Sequence, residues 1–430
     1  MTLRDVSGRL LVGAAFVASW NAVSYRGIQP VDLLLGGALV MSMFYLAGGK
    51  IPWIPAWAKW GSAAILIVLA THILFPANES YMSTRATYVP WFARVMGISL
   101  VENPAFRAAK WLIAMTVLPA VVADASTRNP RLVRQLGIAC VLGAALSALV
   151  ALTDLVGLTR INTYLIYIGA ATARQAGLTS HPNHLGMSVG IVAPLAIGIA
   201  TKSKWKGVPL VVLLLIGAIV SGSRAGQAGF VLAVTVTLAF SQRARRFAPI
   251  LITVAGIVLA SVVWVKPDLV ETAATLFRFD TTDRYVAQSN EERAMLSDQA
   301  IKDFLERPLD GVGLEVLTQA HNIYLQIIAA GGVILSVGMF IYFAGLLRAG
   351  FAERKAADAT GLYLLIGIIV WLAAATFGTQ LTDRYLYFPV AGVAALQYQR
   401  ILRARNIRRE RTQALFGRQV SDREFPALSA

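Results

Sequence analysis

The stretch GVGLEVLTQAHNIYLQIIAAGGV, residues 311–333, runs from a polar loop into an apolar helix through His321-Asn322. A helix that begins there and stays apolar to about residue 347 is long enough to cross about 30 Å of hydrocarbon. The histidine then sits at the lipid boundary, where an imidazole holds or releases a proton near neutral pH. Which membrane face it occupies, and what surrounds it, decides what the chain can do.

The chain has 430 residues, of which 57% are hydrophobic and 14% charged. With a mean hydropathy of +0.62 this excludes a soluble domain. Membrane-length apolar runs recur along nearly the whole chain. Twelve candidate helices are centred near 8–23, 31–47, 60–76, 107–123, 132–153, 183–201, 207–221, 225–241, 247–265, 322–347, 359–378 and 384–402. The fold class expected is an all-α polytopic membrane protein. Residues 1–403 form its transmembrane domain, and 404–430 a basic, flexible tail. The start, with Arg4 and Arg9 before an apolar run, has no small-x-small cleavage site and reads as a retained signal anchor. The single cysteine, Cys140, lies inside the fifth helix, so no intrachain disulfide forms.

The net charge of +16 resembles a nucleic-acid footprint until it is mapped onto the helices. With an inside N-terminus, the inside connectors and tails hold 24 Lys/Arg against 7 Asp/Glu, and the outside segments 15 against 16. The excess therefore lies on one face, as the positive-inside rule requires. Arg128/Arg131/Arg134, Lys202/Lys204/Lys206, Arg243/Arg245/Arg246 and the tail from Arg400 to Arg411 carry it. These residues set topology and touch anionic lipid; they do not form a nucleic-acid surface. Both termini are expected to be cytoplasmic.

Three outside segments follow from this topology. Residues 77–106 hold Tyr81, Tyr88, Trp91, Phe92 and Arg94, a composition suited to an interfacial helix that gates access from the bilayer. Residues 154–182 end in RQAGLTSHPNHLG, and 266–321 form the largest loop. Within that loop SNEERAMLSDQAIKDFLERP predicts a helix capped by Ser289 or Asn290, with Glu291 and Glu292 at its positive end and Pro308 beyond its stop.

Four polar constellations lie on the outside half. They are Arg174-Gln175 with His181, Asn183 and His184; Ser221-Gly222-Ser223-Arg224; Arg293 with Arg284 upstream; and His321-Asn322. Arg224 sits in a connector of a few residues, so its guanidinium either faces a polar cavity or snorkels to headgroups. Arg293, placed in the first turn of the predicted outside helix, adds its charge to the free N–H groups there. Its alternative is a solvated charge paired with Glu291 or Asp298. Several guanidinium forks on one face suit a phosphate or pyrophosphate. His321 has the chemistry of a general base or of a helix cap. His181, His184 and His321 lack the carboxylate or cysteine that would complete a zinc site, and His72 reads as structural. The first outside loop, SYRGIQPVD, has no acidic pair for a divalent ion, and Asp280 and Asp283 read as turn chemistry. No metal or other cofactor is expected.

The blocks RQAGLTSHPNHLG, SGSRAG and EERAML…ERPLDGVGL…AHNIYLQIIAAGG, spread over about residues 170–345, resemble the bacterial O-antigen ligase/polymerase family. The last block is the most specific. The resemblance implies a GT-C-like membrane glycosyltransferase with about 12 transmembrane helices and a helical periplasmic loop at 266–321. It implies an active site on the periplasmic face of the inner membrane, and inversion at the anomeric carbon. An undecaprenyl-pyrophosphate-linked O-antigen is the implied donor, and a lipid A–core sugar hydroxyl the acceptor. By motif match His321 is the base, and Arg224 and Arg293 hold the pyrophosphate. Arg174 and Arg284 join them as donor-binding residues, with Asn322, Ser223, Asn183 and His181 in support. The single dominant outside loop favours a ligase over a polymerase, and the short tail disfavours a protein oligosaccharyltransferase. A transporter or flippase of a lipid-linked or anionic solute is the alternative of a different class.

Overall fold

Apolar sequence in lipid leaves the backbone no partner but itself, so these runs become helices. The computed structural model describes residues 3–24, 28–46, 53–75, 104–165, 174–265, 284–314, 320–356, 359–378, 381 and 383–421. The interfacial segment anticipated within 77–106 falls almost wholly outside them, as do Asp280 and Asp283.

The first helices are α1 (Leu3–Val17), α2 (Pro30–Leu46) and α3 (Ala56–Leu74). Then α4 (Pro104–Leu112) passes through a π turn at Ile113–Val117 into α5 (Leu118–Ser126). After α6 (Leu132–Leu155) and the short α7 (Ile161–Leu165) come α8 (Pro182–Lys202), α9 (Lys204–Val220), α10 (Arg224–Phe240), α11 (Gln242–Arg245) and α12 (Ala248–Val265). The last four are α13 (Arg284–Glu306), α14 (Ile323–Glu353), α15 (Thr360–Ala374) and α16 (Arg384–Ser421). The described residues contain helices and no strand. Each of the twelve apolar segments contains a helix, although the first, expected over 8–23, ends at Val17. Among the described residues, six spans are long and apolar enough to cross a membrane: Ala56–Leu74, Arg107–Ser126, Leu132–Leu155, Pro182–Lys202, Ile323–Glu353 and Thr360–Phe377.

Two boundaries differ from expectation. Helix α16 runs on to Ser421, past the apolar limit near 402, because a helix need not end where lipid does. Helix α13 begins at Arg284, so Ser289 and Asn290 lie inside it and cap nothing. Arg293 is therefore in its third turn, away from the N-terminal N–H groups, and Arg284 occupies the first. RYVAQ ahead of Ser289 contains no breaker, and the helix extends backward through it.

Helix α8 is the centre of the bundle, packed against α6, α9, α10 and α15. Leu185, Ala193, Ala196 and Ile197 on it are fully buried. Its start meets the start of α10 through Gly186 and Gly226; a Cβ on Gly226 would lie 2.4 Å from the Gly186 Cα. A ladder of edge-on rings, Trp57–Tyr342–Phe343–Trp371–Tyr387, ties α3, α14, α15 and α16 with centroids 5.0 to 5.7 Å apart. At one end of the bundle Arg400 Nε pairs with Glu353 at 2.7 Å, and Gln399 Nε2 donates to the Ser126 carbonyl at 3.1 Å. The polar constellations gather at the other.

Helix α14 is broken at Gly332, whose φ of 55° and ψ of −149° are not helical. A break inside a membrane helix strands backbone groups that water does not reach. Residues 308–313 recapture them. Val312 and Gly313 N–H donate to the Ala329 and Ala330 carbonyls at 2.9 and 3.1 Å, while Val333 and Ile334 N–H donate to the Pro308 and Leu309 carbonyls at 2.8 and 3.1 Å. His72 on α3 is buried, with Nε2 3.1 Å from the Gly311 carbonyl and Nδ1 2.8 Å from that of Val68. The Pro-x-x-Gly-x-Gly run is thus a strap laid into the broken helix.

Candidate functional site

Three helix starts and α13 converge at the polar end. His181 caps α8, its Nδ1 accepting from the Asn183 N–H at 3.0 Å, with Pro182 at the first helical position. Arg174 lies across the end of α9. Its Nε donates to the Ser221 carbonyl at 3.1 Å and its Nη2 to Asn183 Oδ1 at 2.7 Å. The Gln175 N–H adds a bond to the Val220 carbonyl at 3.1 Å. Ser223 caps α10 through its Oγ and the Gly226 N–H at 3.2 Å, which puts Arg224 at the first helical position with its side chain exposed.

The His321-Asn322 turn is set by its own backbone and by α13. His321 has a φ of +50°, a left-handed conformation uncommon outside glycine. Asn322 Oδ1 then accepts from the Tyr324 and Leu325 N–H groups at 3.0 and 3.3 Å, capping α14. Ser297 Oγ donates to the Ala320 carbonyl at 3.2 Å, and Ala300 packs with Ala320 and Ala329. Arg293, one to two turns before these contacts on α13, is held in electrostatic reach of Arg224 and His181.

The electrostatics favour an anion. Burial lowers the Arg293 pKa, and the like charge of Arg224 lowers it further. Arg293 Nε is buried with no hydrogen-bond partner among the described residues. The His181 pKa is pushed down to about 3, first by burial, then by His184, Arg174, His321 and Arg293. His181 is therefore neutral near pH 7. Because its Nδ1 accepts from Asn183, the proton resides on Nε2, a neutral donor among cations.

Of the residues expected to act together, Arg174, His181, Asn183, Ser223, Arg224, Arg293, His321 and Asn322 do gather here. Arg284 starts α13, nine residues before Arg293, and its side chain is outside the described residues. Arg174 is committed to Ser221 and Asn183, and so shapes the loop between α7 and α8 as well as adding charge.

A second polar set adjoins the first through His184, and its other members do not stand out in the sequence. Asn21, after α1, accepts from the Ser180 N–H at 2.7 Å through Oδ1. Its Nδ2 lies 2.6 Å from His184 Nδ1 and donates to Asp383 Oδ1 at 3.3 Å. Next to Asp383, Arg384 grips Asp32 through Nη2 and Nε at 2.6 and 2.9 Å. Lys110 on α4 feels the charges of Arg384, Asp32 and Asp383. Asp32 and Arg384 are 352 residues apart, so no local pattern announces the pair. The one signal was Asp383-Arg384 standing together before the last apolar run. Among the described residues no group of three or more His, Cys, Asp or Glu is arranged to hold a metal ion.

Fold and site together define a multi-pass helical membrane protein with an arginine- and histidine-bearing site where several of its helices begin. Residues 209–343, about a third of the chain, match the family model described as O-antigen ligase. It takes in Ser223, Arg224, Arg284, Arg293, His321 and Asn322; Arg174, His181, Asn183 and the second polar set fall outside it. No curated protein matches the chain.

Proposed function

We infer that the protein is an O-antigen ligase of the bacterial inner membrane. It moves a glycan from undecaprenyl pyrophosphate to a sugar hydroxyl of lipid A–core on the periplasmic side. The observation that carries this is Arg293: buried beside a like-charged arginine, with a free Nε, it matches a pyrophosphate better than any protein partner. His321, on the turn next to these cations, takes the proton from the acceptor hydroxyl. The oxygen attacks the anomeric carbon from the face opposite the pyrophosphate, the carbon–oxygen bond to phosphate breaks, and configuration inverts. Arg224 and Arg293 stabilise the charge that grows on the leaving group. Twelve spans in a GT-C-like arrangement, with both termini in the cytoplasm, complete this reading. The charge asymmetry along the sequence supports it.

The break in α14 is a feature that transporters also use. Here its freed backbone groups bond to residues 308–313, leaving them no role in coordinating a passing solute. Enzyme is the better reading.

The deciding experiment gives purified protein undecaprenyl-pyrophosphate O-antigen and lipid A–core in EDTA, with wild type beside His321→Ala. High-molecular-weight lipopolysaccharide from wild type alone establishes a metal-independent ligase with His321 as its base. Glycan lengthened on undecaprenyl makes the protein a polymerase. Failure of folded wild type to form either product overturns the glycosyltransferase reading.

A further inference from the structure

We propose that the connectors at 202–206 and 241–247 together bind a phospholipid with two phosphates, the chemistry of cardiolipin, at the end of the bundle opposite the candidate site. This goes beyond the function proposed above and does not depend on it.

Both connectors lie at that far end by topology. Helix α8 leaves the candidate site at Pro182 and ends at Lys202, and α10 leaves it at Arg224 and ends at Phe240. The 21 residues of α8 rise about 30 Å, so the two ends are a hydrocarbon core apart. The turn from α8 into α9 is tight. The Ser203 and Gly207 N–H groups donate to the Ile199 and Ser203 carbonyls at 2.9 Å, and a Cβ on Gly207 would lie 2.1 Å from the Ala200 nitrogen. On the other connector, Ser241 Oγ accepts from the Ala244 N–H at 3.2 Å and lies 3.4 Å from the Tyr363 hydroxyl of α15. Ala244 is fully buried, while Arg245 and Arg246 after it are exposed. Lys204 Nζ stands 5.7 Å from the centre of the Phe247 ring, which joins the two connectors into one surface.

Scattered positive charge at a membrane surface selects no particular lipid; a paired arrangement does. Lys204 and Lys206 stand on one connector, Arg245 and Arg246 on the other, and all four are exposed. None of the four has an ion pair or a side-chain hydrogen bond among the described residues. No acidic residue occurs from position 155 to 267, so neither the connectors nor the helices they join supply a counter-ion. Trp205 is 93% exposed and Phe240 66%. Both rings sit at the ends of apolar helices, the level at which aromatic side chains meet glycerol and acyl chains beneath the phosphates. A lipid covers such rings and the cations beside them at once; a soluble acidic protein reaches only the cations. Two cation pairs on joined connectors match two phosphates on one glycerol bridge, one phosphate to each pair.

The test titrates full-length protein in detergent with cardiolipin, phosphatidylglycerol and phosphatidylethanolamine, and counts bound lipid by native mass spectrometry. Wild type is expected to bind cardiolipin roughly 10-fold more tightly than phosphatidylglycerol. The double variants Lys204→Gln/Lys206→Gln and Arg245→Gln/Arg246→Gln should each weaken cardiolipin roughly 10–30-fold, the scale of two cations at an anionic surface. Arg405→Gln/Arg409→Gln removes the same charge from the exposed end of α16 and should stay within about 2-fold. Equal loss in that variant overturns the proposal, since it marks diffuse attraction. Phosphatidylglycerol binding as tight as cardiolipin overturns the two-phosphate site. Displacement of cardiolipin by polyglutamate also overturns it and makes the face a dock for an acidic protein. Hydrogen exchange on wild type covers the case in which the connector variants do not fold. In phosphatidylethanolamine nanodiscs, adding cardiolipin must protect the amides of 202–207 and 241–247, and protection confined elsewhere refutes the site.

Discussion

The Val333 N–H donates to the Pro308 carbonyl at 2.8 Å, joining the loop after α13 to the point where α14 breaks. Both partners exist because Gly332 takes a conformation almost restricted to glycine. A Cβ there would lie 2.5 Å from the carbonyls of Pro308 and Leu309.

Gly332→Ala is therefore expected to cost about 3 kcal/mol or more, combining backbone strain and clash. Gly36, also in a helix, has nothing within 4 Å of a modest Cβ, and Gly36→Ala should be neutral or stabilising by up to about 1 kcal/mol. Thermal unfolding of the two variants in detergent checks the contrast.

Asn322→Ala removes the acceptor for the Tyr324 and Leu325 N–H groups and should cost about 0.5–2 kcal/mol. Asn322→Asp or Asn322→Ser keeps an oxygen in place and should recover most of that stability. If the cap also orients His321, transfer by Asn322→Ala falls further than its stability does. Measuring unfolding and transfer on the same preparations separates the two.

Arg293→Ala should lower kcat/KM for the donor by roughly 10–100-fold, the value of a charged hydrogen bond in a partly buried site. Arg293→Lys should restore part of it, since an ammonium keeps the charge and loses the fork. Removing Arg224 as well should cost less than the sum of the single changes, because both cations act on one anion. A double-mutant cycle on donor kcat/KM measures this directly.

His181 is held to a pKa of about 3 against an ordinary value near 6.5. Between those values the unfolded chain takes up a proton that the folded chain refuses. Stability from this residue is thus complete above about pH 6.5 and is lost as pH falls toward 3. His181→Asn keeps a capping oxygen for the Asn183 N–H, and its melting temperature should drop less than that of wild type between pH 7.5 and 5.

Much of this was legible beforehand. Positions of helices came from runs of apolar residues, because lipid forces each such run to satisfy its own backbone. His321-Asn322 stood out because a titratable residue at the start of an apolar run is rare. Arg224 stood out because glycines and serines crowd its short connector. The start of α13 was misjudged by several residues: Ser289 and Asn290 are good caps, but RYVAQ before them is equally willing to be helical. The reason given for Arg293, a place in the first turn of its helix, does not hold. Its neighbour Arg224, rather than a helix terminus, makes its surroundings cationic.

Taken alone, the sequence determined that the chain is a membrane-embedded array of helices with its positive charge biased to one face, since hydropathy and charge act locally, residue by residue. It could not reveal that Asp383 faces His184, that Asp32 holds Arg384, or that residues 308–313 mend a broken α14. Those partners are far apart along the chain or lie across a helix break. They meet only when the helices pack, and the cost of leaving a polar group unpaired in a low-dielectric interior then decides which groups pair.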